Sequence, residues 1–213
     1  IEHEVAQKKI TVVHFIPALL NRIVDENIAI LSKVKTILTG GDKVSAIHVN
    51  KIRSIYPQIN VIQASGPTEN TTFSTTFLVD DFYDKIPIGK PLANRQVYIL
   101  DERMNPMPIG VDGEICVGGA GIAKGYLNRP DLTAEKFIDN PFTGNGKIYK
   151  TGDLARYDDF GNIQIVGRLD KQIKIRTHRI EVEEIEHVVM QYENINRCAV
   201  VTKKDEFSSV YLV

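Results

Sequence analysis

The sequence lacks the features that mark several classes of protein. Its 26 basic and 27 acidic side chains nearly cancel, so it has no basic excess of the kind by which nucleic-acid-binding domains attract phosphate. Its apolar stretches are only a few residues long, whereas a membrane-spanning helix needs about 20. Cysteine is scarce: Cys116 and Cys198 lie far apart and match no metal-ligand spacing, which favours two reduced thiols in a cytoplasmic protein. We therefore expect a globular protein that binds neither nucleic acid nor membrane.

The two ends of the sequence lack signals as well. Ile1 opens the chain without a methionine, a basic stretch or a cleavage site, so we expect no targeting peptide. The last residues, 211–213, continue a pattern typical of a strand. Both ends are therefore expected to adjoin further sequence in a longer protein.

Residues 1–85 have the pattern of a parallel α/β layer. β-branched and apolar residues predict strands at 10–15, 35–39 and 60–63, and apolar residues at helical spacing predict a helix over 44–55. Strand, glycine turn, helix and strand in this order are typical of parallel sheets.

The pattern of predicted helices and strands changes twice in the remaining sequence. Residues 86–168 hold short strand patterns separated by Gly, Pro, Asn and Asp, which predicts a small β-barrel-like unit. Residues 169–213 predict the start of a small α+β lobe. Across both regions we expect strands at 96–100, 113–118, 148–151, 162–166, 172–176 and 198–201, and helices at 132–137 and 181–192.

Three turns carry side chains that suit a nucleotide. In Gly66-Pro67-Thr68-Glu69 the glycine lets the backbone approach a phosphate, the threonine hydroxyl can donate to it, and the glutamate is a hard oxygen ligand for Mg²⁺. Asp153 ends another predicted strand, where its carboxylate can accept hydrogen bonds from a ribose diol. Arg168 and Asp170 place opposite charges in a third turn. Each turn taken alone is more often purely structural.

Two other patterns point less clearly to chemistry. The glycine-rich stretch 113–126 contains Gly119-Ala120-Gly121, but its third glycine, Gly125, comes one residue too late for a dinucleotide fingerprint, and the βαβ context is missing. We interpret it as turns between strands, which disfavours a dinucleotide-dependent dehydrogenase. The five histidines show no metal-ligand spacing and no Ser-His-Asp order.

Taken together and in this order, the turns resemble motifs of the adenylate-forming, AMP-binding superfamily, and specifically of adenylation domains in nonribosomal peptide synthetases. The resemblance spans nearly the whole chain and rests on residues 66–71 (GPTENT), 113–127, 149–154 (YKTGDL) and 167–186 (GRLDKQIKIRTHRIEVEEIE). It implies a truncated adenylate-forming fold. Residues 1–85 would belong to the large α/β subdomain, 86–168 to the β-rich subdomain and 169–213 to the C-terminal lobe.

The resemblance implies a two-step reaction. ATP and an amino acid give an aminoacyl adenylate and pyrophosphate, and a phosphopantetheine thiol on a carrier domain then takes the acyl group. The implied cofactors are ATP, Mg²⁺ and the phosphopantetheine supplied by the carrier. The implied partners are the amino-acid substrate, a peptidyl carrier domain and neighbouring synthetase domains.

The resemblance also implies roles for individual residues. The catalytic set would be Thr68 at the α-phosphate, Glu69 as the Mg²⁺ ligand, and Lys174 facing the nucleotide, with Asp170 as the hinge before the C-terminal lobe. ATP would be bound by residues in the turns after strands: Gly41, Asp42, Gly66, Thr68, Asp153 and Arg168. The amino-acid side chain would meet His14, Leu38, Gly40, Ala64, Thr72 and Phe73. Most of this pocket resembles those for small aliphatic amino acids, whereas His14 does not.

The chain departs from the family pattern at several points. Gln63 and Ser65 replace an Asn and a Tyr whose ring stacks on adenine, a contact worth about 1–3 kcal/mol. Ile165 replaces an aromatic residue, and Thr177 replaces a glycine beside the pantetheine path. A phosphate loop and a catalytic lysine known in the family are missing from these 213 residues. We therefore expect the chain alone to be inactive and to self-associate through uncovered sheet surface.

Two alternatives stay open at this point. One is a stand-alone acyl or aryl-acid adenylate-forming ligase. Residues 66–71 and 167–186 disfavour it, because they resemble the peptide synthetases more. The other is a degenerate, non-catalytic adenylation-like scaffold. Ser65 and Thr177 favour it, because they depart from the family pattern.

Overall fold

The computed structural model describes residues 1–170, 172–175, 178–204 and 210–213. The chain divides into two compact units, Ile1–Gly167 and Arg168–Val213. The helices in this described part of the chain are all too short or too polar to cross a bilayer.

The first unit opens with helices packed on a mixed sheet. The helices are α1 (Glu2–Gln7), α2 (Pro17–Glu26) and α3 (Ala46–Ile55), and the strands are β1 (Val12–Phe15), β2 (Thr36–Gly40), β3 (Asn60–Ser65), β4 (Thr75–Val79) and β5 (Lys90–Pro91). Short 3₁₀ helices occupy Ile28–Lys33 and Thr68–Asn70. The strand order is β1-β2-β3-β4-β5.

The parallel layer expected from the sequence is confirmed for three strands. β1, β2 and β3 run parallel, and β4 and β5 extend the sheet antiparallel. Side chains alternate between the two faces of a strand, so Ile37 and Val61 point together into a core completed by Leu20, Val49 and other apolar residues of α2 and α3. The opposite face of the sheet is more open: Val12 is 64% exposed and Leu78 50%.

The second part of this unit is an open sheet rather than the barrel-like unit expected. Its elements are β6 (Arg95–Leu100), β7 (Gly113–Gly119), α4 (Pro130–Lys136), β8 (Phe137–Asp139), β9 (Lys147–Tyr157) and β10 (Ile163–Arg168). The order is β10-β9-β7-β6, with β8 also paired to β9, so β6 and β10 lie at opposite edges. The β-rich character is confirmed, but strand patterns carry no information on closure of the sheet. Cys116 is buried in this sheet, and burial raises the pKa of its thiol to about 12, so the thiol stays protonated.

The second unit contains two antiparallel strand pairs and one helix among its described residues. β11 (Ile173–Ile175) pairs antiparallel with β12 (His178–Ile180), and β13 (Thr202–Lys204) with β14 (Val210–Leu212). Helix α5 spans Val182–Val189, shorter than expected from the sequence, and the strand expected at 198–201 lies instead at Thr202–Lys204. These elements confirm an α+β lobe, while the bounds 1–85, 86–168 and 169–213 stay a prediction.

Candidate functional site

The turn after β3 carries Thr68 and Glu69 at the carboxyl end of the parallel strands. A Cβ on Gly66 would lie 2.5 Å from Ser74 N, so only glycine fits the close approach of the two turn arms. The arms are joined by Ser74 N, which donates to Ser65 O at 2.8 Å. Thr71 and Thr72 have φ of 50° and 65°, a left-handed conformation that strains β-branched residues. The fold therefore holds this turn in an unfavourable backbone shape, as functional sites often do.

The Glu69 carboxylate is held by two tyrosine hydroxyls from distant parts of the chain. The Tyr126 hydroxyl donates to Glu69 Oε1 at 2.6 Å and the Tyr149 hydroxyl lies 3.0 Å from the same oxygen. Glu69 is only 7% exposed. Burial, and then the hydrogen bond with Glu69, raises the pKa of Tyr126 far above its usual value, so this hydroxyl remains a donor. The sequence did not single out either tyrosine, although both lie in stretches that carry the resemblance.

The glycine-rich stretch 113–126 packs directly against this turn. Ala123 N donates to Glu69 O at 2.8 Å, and Thr71 Oγ1 donates to Gly121 O at 2.7 Å. Asn70 Nδ2 lies 3.3 Å from Gly118 O. The stretch is therefore more than a set of turns between strands, because its backbone orders the segment that carries Glu69. Its density of small residues was the signal for such a close approach of two backbones.

Asp153 lies in a bulge of β9 rather than in a simple turn. Glu114 pairs with Leu154 and Cys116 with Lys150, so Ile115 of β7 lies opposite residues 151–153. Thr151 Oγ1 donates to Ile115 O at 2.8 Å, and Gly152, with φ of 73°, supplies the left-handed residue. Bulges commonly redirect side chains beside active sites, and here the bulge takes Asp153 out of the regular ladder.

Gly41 and Asp42 follow β2 at the carboxyl ends of the parallel strands, where the turn that carries Glu69 also lies. Gly40 pairs with Ala64, so the turns after β2 and β3 leave the sheet side by side. Open α/β sheets bind ligands at such edges. Ser65 has no aromatic ring to offer here, and Gln63 is buried on the helix-covered face, where its Oε1 has no hydrogen-bond partner among the described residues.

Four of the residues expected to form the amino-acid pocket lie on the open face of the sheet, and Phe73 reaches one of them from the turn after β3. His14 pairs with Leu38 across β1 and β2, and the Phe73 ring meets His14 edge to face with centroids 5.8 Å apart. Gly40 and Ala64 are neighbours in register, and Thr72 precedes Phe73. Ile62 shares this face between Leu38 and Leu78, a position that strand alternation alone could have indicated.

Arg168 and Asp170 form a bidentate ion pair within the second unit. Arg168 Nε and Nη2 each lie 2.7 Å from an Asp170 carboxylate oxygen, and Gln172 N donates to Asp170 Oδ1 at 3.1 Å. The expected hinge residue is thus hydrogen-bonded to a cation expected to bind ATP. Lys174 lies on β11, but its side chain falls outside the described part of the chain, as does Thr177.

A Ser-His-Asp cluster does occur, although the sequence suggested none. His48 Nδ1 lies 2.6 Å from Ser45 Oγ, and Nε2 lies 3.0 Å from Asp25 Oδ2. These contacts join the start of α3 to the last turn of α2, so they have a structural explanation. No group of three or more metal-ligating side chains is found among the residues that the structure describes.

Comparison with known proteins gives consistent matches. A family model described as "AMP-binding enzyme" matches residues 2–127. Tyrocidine synthase 3 of Brevibacillus parabrevis is 45% identical over 193 residues, covering 90% of this chain and 3% of that protein. Bacitracin synthase 1 of Bacillus licheniformis is 44% identical over 217 residues, covering 99% of this chain and 4% of that protein. The chain thus spans only a few per cent of the length of these relatives.

Solved structures agree with the sequence matches. PA1221, a nonribosomal peptide synthetase protein containing adenylation and PCP domains, superposes with a TM-score of 0.91 at 32% identity, covering 100% of this chain and 44% of that one. NpsA-ThdA of Klebsiella oxytoca, an artificially fused adenylation-PCP di-domain, gives 0.86 at 27% identity, covering 99% and 40%. The expected fold is thereby confirmed. Because the family model matches more than half of its residues, the chain belongs to the AMP-binding enzyme family and is similar along its length to nonribosomal peptide synthetase adenylation domains.

Proposed function

We propose that the full-length protein carrying this chain activates an amino acid as its adenylate and transfers it to a phosphopantetheine thiol of a carrier domain. The observation that carries the proposal is the buried Glu69 carboxylate, held at the carboxyl end of a parallel sheet in a chain of the AMP-binding family. A carboxylate in that place suits the Mg²⁺ that accompanies a nucleotide.

The residues present fit Mg²⁺ brought in with ATP. Mg²⁺ is usually held by one or two carboxylates together with substrate phosphates, so a single carboxylate with no surrounding ligand cluster in the described residues matches this use. Glu69 would hold the ion, which when bound neutralises charge on the phosphates. Thr68 would donate its hydroxyl to the α-phosphate, and Asp153 would accept hydrogen bonds from the ribose hydroxyls.

The proposed chemistry transfers an adenylyl group and then an acyl group. A carboxylate oxygen of the amino acid attacks the α-phosphorus, the bond to the bridging oxygen breaks, and pyrophosphate leaves. The carrier thiolate then attacks the acyl carbon, and AMP leaves. In this scheme Gly41 and Asp42 border the adenine, Arg168 and Lys174 contact the nucleotide, and Asp170 is the hinge.

The proposed substrate pocket is the open sheet face around His14 and Phe73. Their edge-to-face contact gives the pocket one aromatic wall, and the small residues Gly40 and Ala64 lie on the same face of the sheet. The proposed partners are a peptidyl carrier domain and neighbouring synthetase domains, because the similar solved structures contain adenylation and PCP domains. Two unpaired cysteines, Cys116 and Cys198, support a cytoplasmic location.

Amino-acid-dependent pyrophosphate exchange by the full-length protein tests the proposal. We expect exchange with one or a few members of a panel of amino acids. Exchange only with acids that lack an α-amino group would instead identify a stand-alone acyl or aryl-acid ligase. ATP binding without exchange for any acid would favour a degenerate scaffold, a reading supported by the missing aromatic ring at Ser65.

Replacing Asp153 with alanine in the full-length protein is expected to weaken ATP binding about 10- to 100-fold. The bulge presents this carboxylate for a diol, and a hydrogen bond to a charged group contributes about 1.5–3 kcal/mol. Isothermal titration with ATP measures the effect. The matched control is Asp139→Ala, since Asp139 is an exposed strand residue paired with Lys147 at 2.8 Å. Equal ATP affinity in wild type and the Asp153 variant would remove Asp153 from the site.

A further inference from the structure

We propose that Tyr126 and Tyr149 are positioning residues that orient the Glu69 carboxylate toward Mg²⁺, an inference that rests on the proposed function. Neither residue would touch the ion or the reacting atoms. Both would act through Glu69, by holding its Oε1 in place.

The geometry places three oxygens in a closed triangle. The distances to Glu69 Oε1 are 2.6 Å from the Tyr126 hydroxyl and 3.0 Å from that of Tyr149, and the two hydroxyls are 3.1 Å apart. Each phenol has one proton, so the three contacts share two protons. The shortest distance assigns the Tyr126 proton to Glu69, and the Tyr149 proton goes to Glu69 or to Tyr126. In either arrangement Oε1 is held from the side of the two rings.

The two rings are themselves fixed by packing. Phe137 contacts both of them, with centroids 5.5 Å from Tyr126 and 5.0 Å from Tyr149. Tyr149 is 1% exposed, and Tyr126 N donates to Thr133 Oγ1 at 2.9 Å. Moving either ring far enough to take its oxygen away from Glu69 would therefore disturb its packing against the buried Phe137 ring.

The two tyrosine donors restrict the conformational freedom of the Glu69 side chain before a metal ion binds. A glutamate side chain has several rotatable bonds, and ordering it at the moment of metal binding costs conformational entropy. Here the backbone is tied through Ala123 N to Glu69 O at 2.8 Å, and the carboxylate is tied at Oε1. The Glu69 side chain is therefore already ordered in the absence of the ion, and binding costs less conformational entropy. Loss of either hydroxyl should lower metal affinity without removing a ligand.

Metal binding by the full-length protein tests this inference. Mn²⁺ replaces Mg²⁺, a non-hydrolysable ATP analogue is present, and bound ion is measured by electron paramagnetic resonance. We expect Tyr126→Phe and Tyr149→Phe each to lower Mn²⁺ affinity about 10-fold, the size of one hydrogen bond to a charged group. The half-saturating Mg²⁺ concentration for pyrophosphate exchange should rise in parallel, whereas KM for the amino acid should stay unchanged.

Matched variants separate positioning from a general structural effect. Tyr157→Phe removes a hydroxyl from the same strand, where it contacts Val97 O at 3.4 Å, and should leave Mn²⁺ affinity at the wild-type value. In a Glu69→Gln background, Tyr126→Phe should cause no further loss of Mn²⁺ affinity, because the tyrosine acts through the carboxylate. Urea unfolding midpoints of all variants show whether a loss reflects folding.

The outcomes separate the inference from the proposed function. Mn²⁺ affinity within about twofold of wild type in both tyrosine variants overturns the inference, and so does an equal loss in Tyr157→Phe. A tyrosine effect that persists in full on the Glu69→Gln background also overturns it. A wild-type protein without exchange for any amino acid refutes the proposed function, while the Mn²⁺ titrations of the same proteins still decide the inference.

Discussion

Replacing Glu69 with alanine in the full-length protein is expected to slow amino-acid-dependent pyrophosphate exchange about 10²–10³-fold, the usual effect of losing one preorganised electrostatic group. The change removes the carboxylate proposed to hold Mg²⁺. It also takes away the acceptor of two tyrosine hydroxyls; Tyr149 is buried at 1% exposure and Tyr126 is half-buried. A buried donor without a partner costs about 1–3 kcal/mol, so we expect lower stability as well.

Glu69→Gln separates these two effects. The amide oxygen can still accept from Tyr126 and Tyr149, so thermal stability should stay near that of wild type while exchange falls as in the alanine variant. Glu135→Ala is the control for loss of a carboxylate, because that side chain is exposed on α4. Undiminished exchange in both Glu69 variants would show that the carboxylate is not a metal ligand, and equal stability of the two would contradict the role of the tyrosine contacts.

The parallel strands could be predicted because their signals are local. β1, β2 and β3 are short runs of apolar and β-branched residues, and helix α3 shows its own periodicity. Helix α2 was not among the expected helices; it begins at Pro17, where a residue without an N–H is well suited to the first turn. Whether the strands of 86–168 close into a barrel depends on which edges meet, a property that no single strand pattern contains.

The site shows the same division between local and long-range information. Turn chemistry made Gly66, Thr68, Glu69 and Asp153 candidates, because a glycine, a hydroxyl or a carboxylate in a turn can be seen within a few residues of sequence; their roles stay a prediction. The partners of Glu69 could not be found in that way, since Tyr126 and Tyr149 lie 57 and 80 positions away in the chain. The bulge around Asp153 also depends on its neighbour, because the register shift is between Glu114 and Cys116 of β7.

The 213-residue chain by itself is expected to form no detectable aminoacyl adenylate and to self-associate. Its proposed nucleotide contacts, Thr68, Glu69, Asp153 and Arg168, can orient the ribose and one phosphate. The phosphate loop and catalytic lysine implied by the family resemblance are not among its residues, and each such group typically contributes about 10²–10³ in rate. Adenylate formation from ATP and the amino acid that the full-length protein prefers, measured by mass spectrometry, tests this.

Self-association is expected through the open face and edge of the first sheet. β1 lies at the edge of the sheet. On the open face, Val12 of β1 is 64% exposed and Leu78 of β4 is 50% exposed. Apolar side chains beside an unpaired strand edge favour pairing with another chain. Val12→Lys together with Leu78→Lys should shift sedimentation toward monomer, whereas Ile109→Lys, at a residue 59% exposed outside this sheet, should not. A monomeric wild-type chain would mean that this face does not drive self-association. In the activity assay, appreciable adenylate formation by the 213-residue chain would mean that the catalytic groups are not where the family resemblance places them.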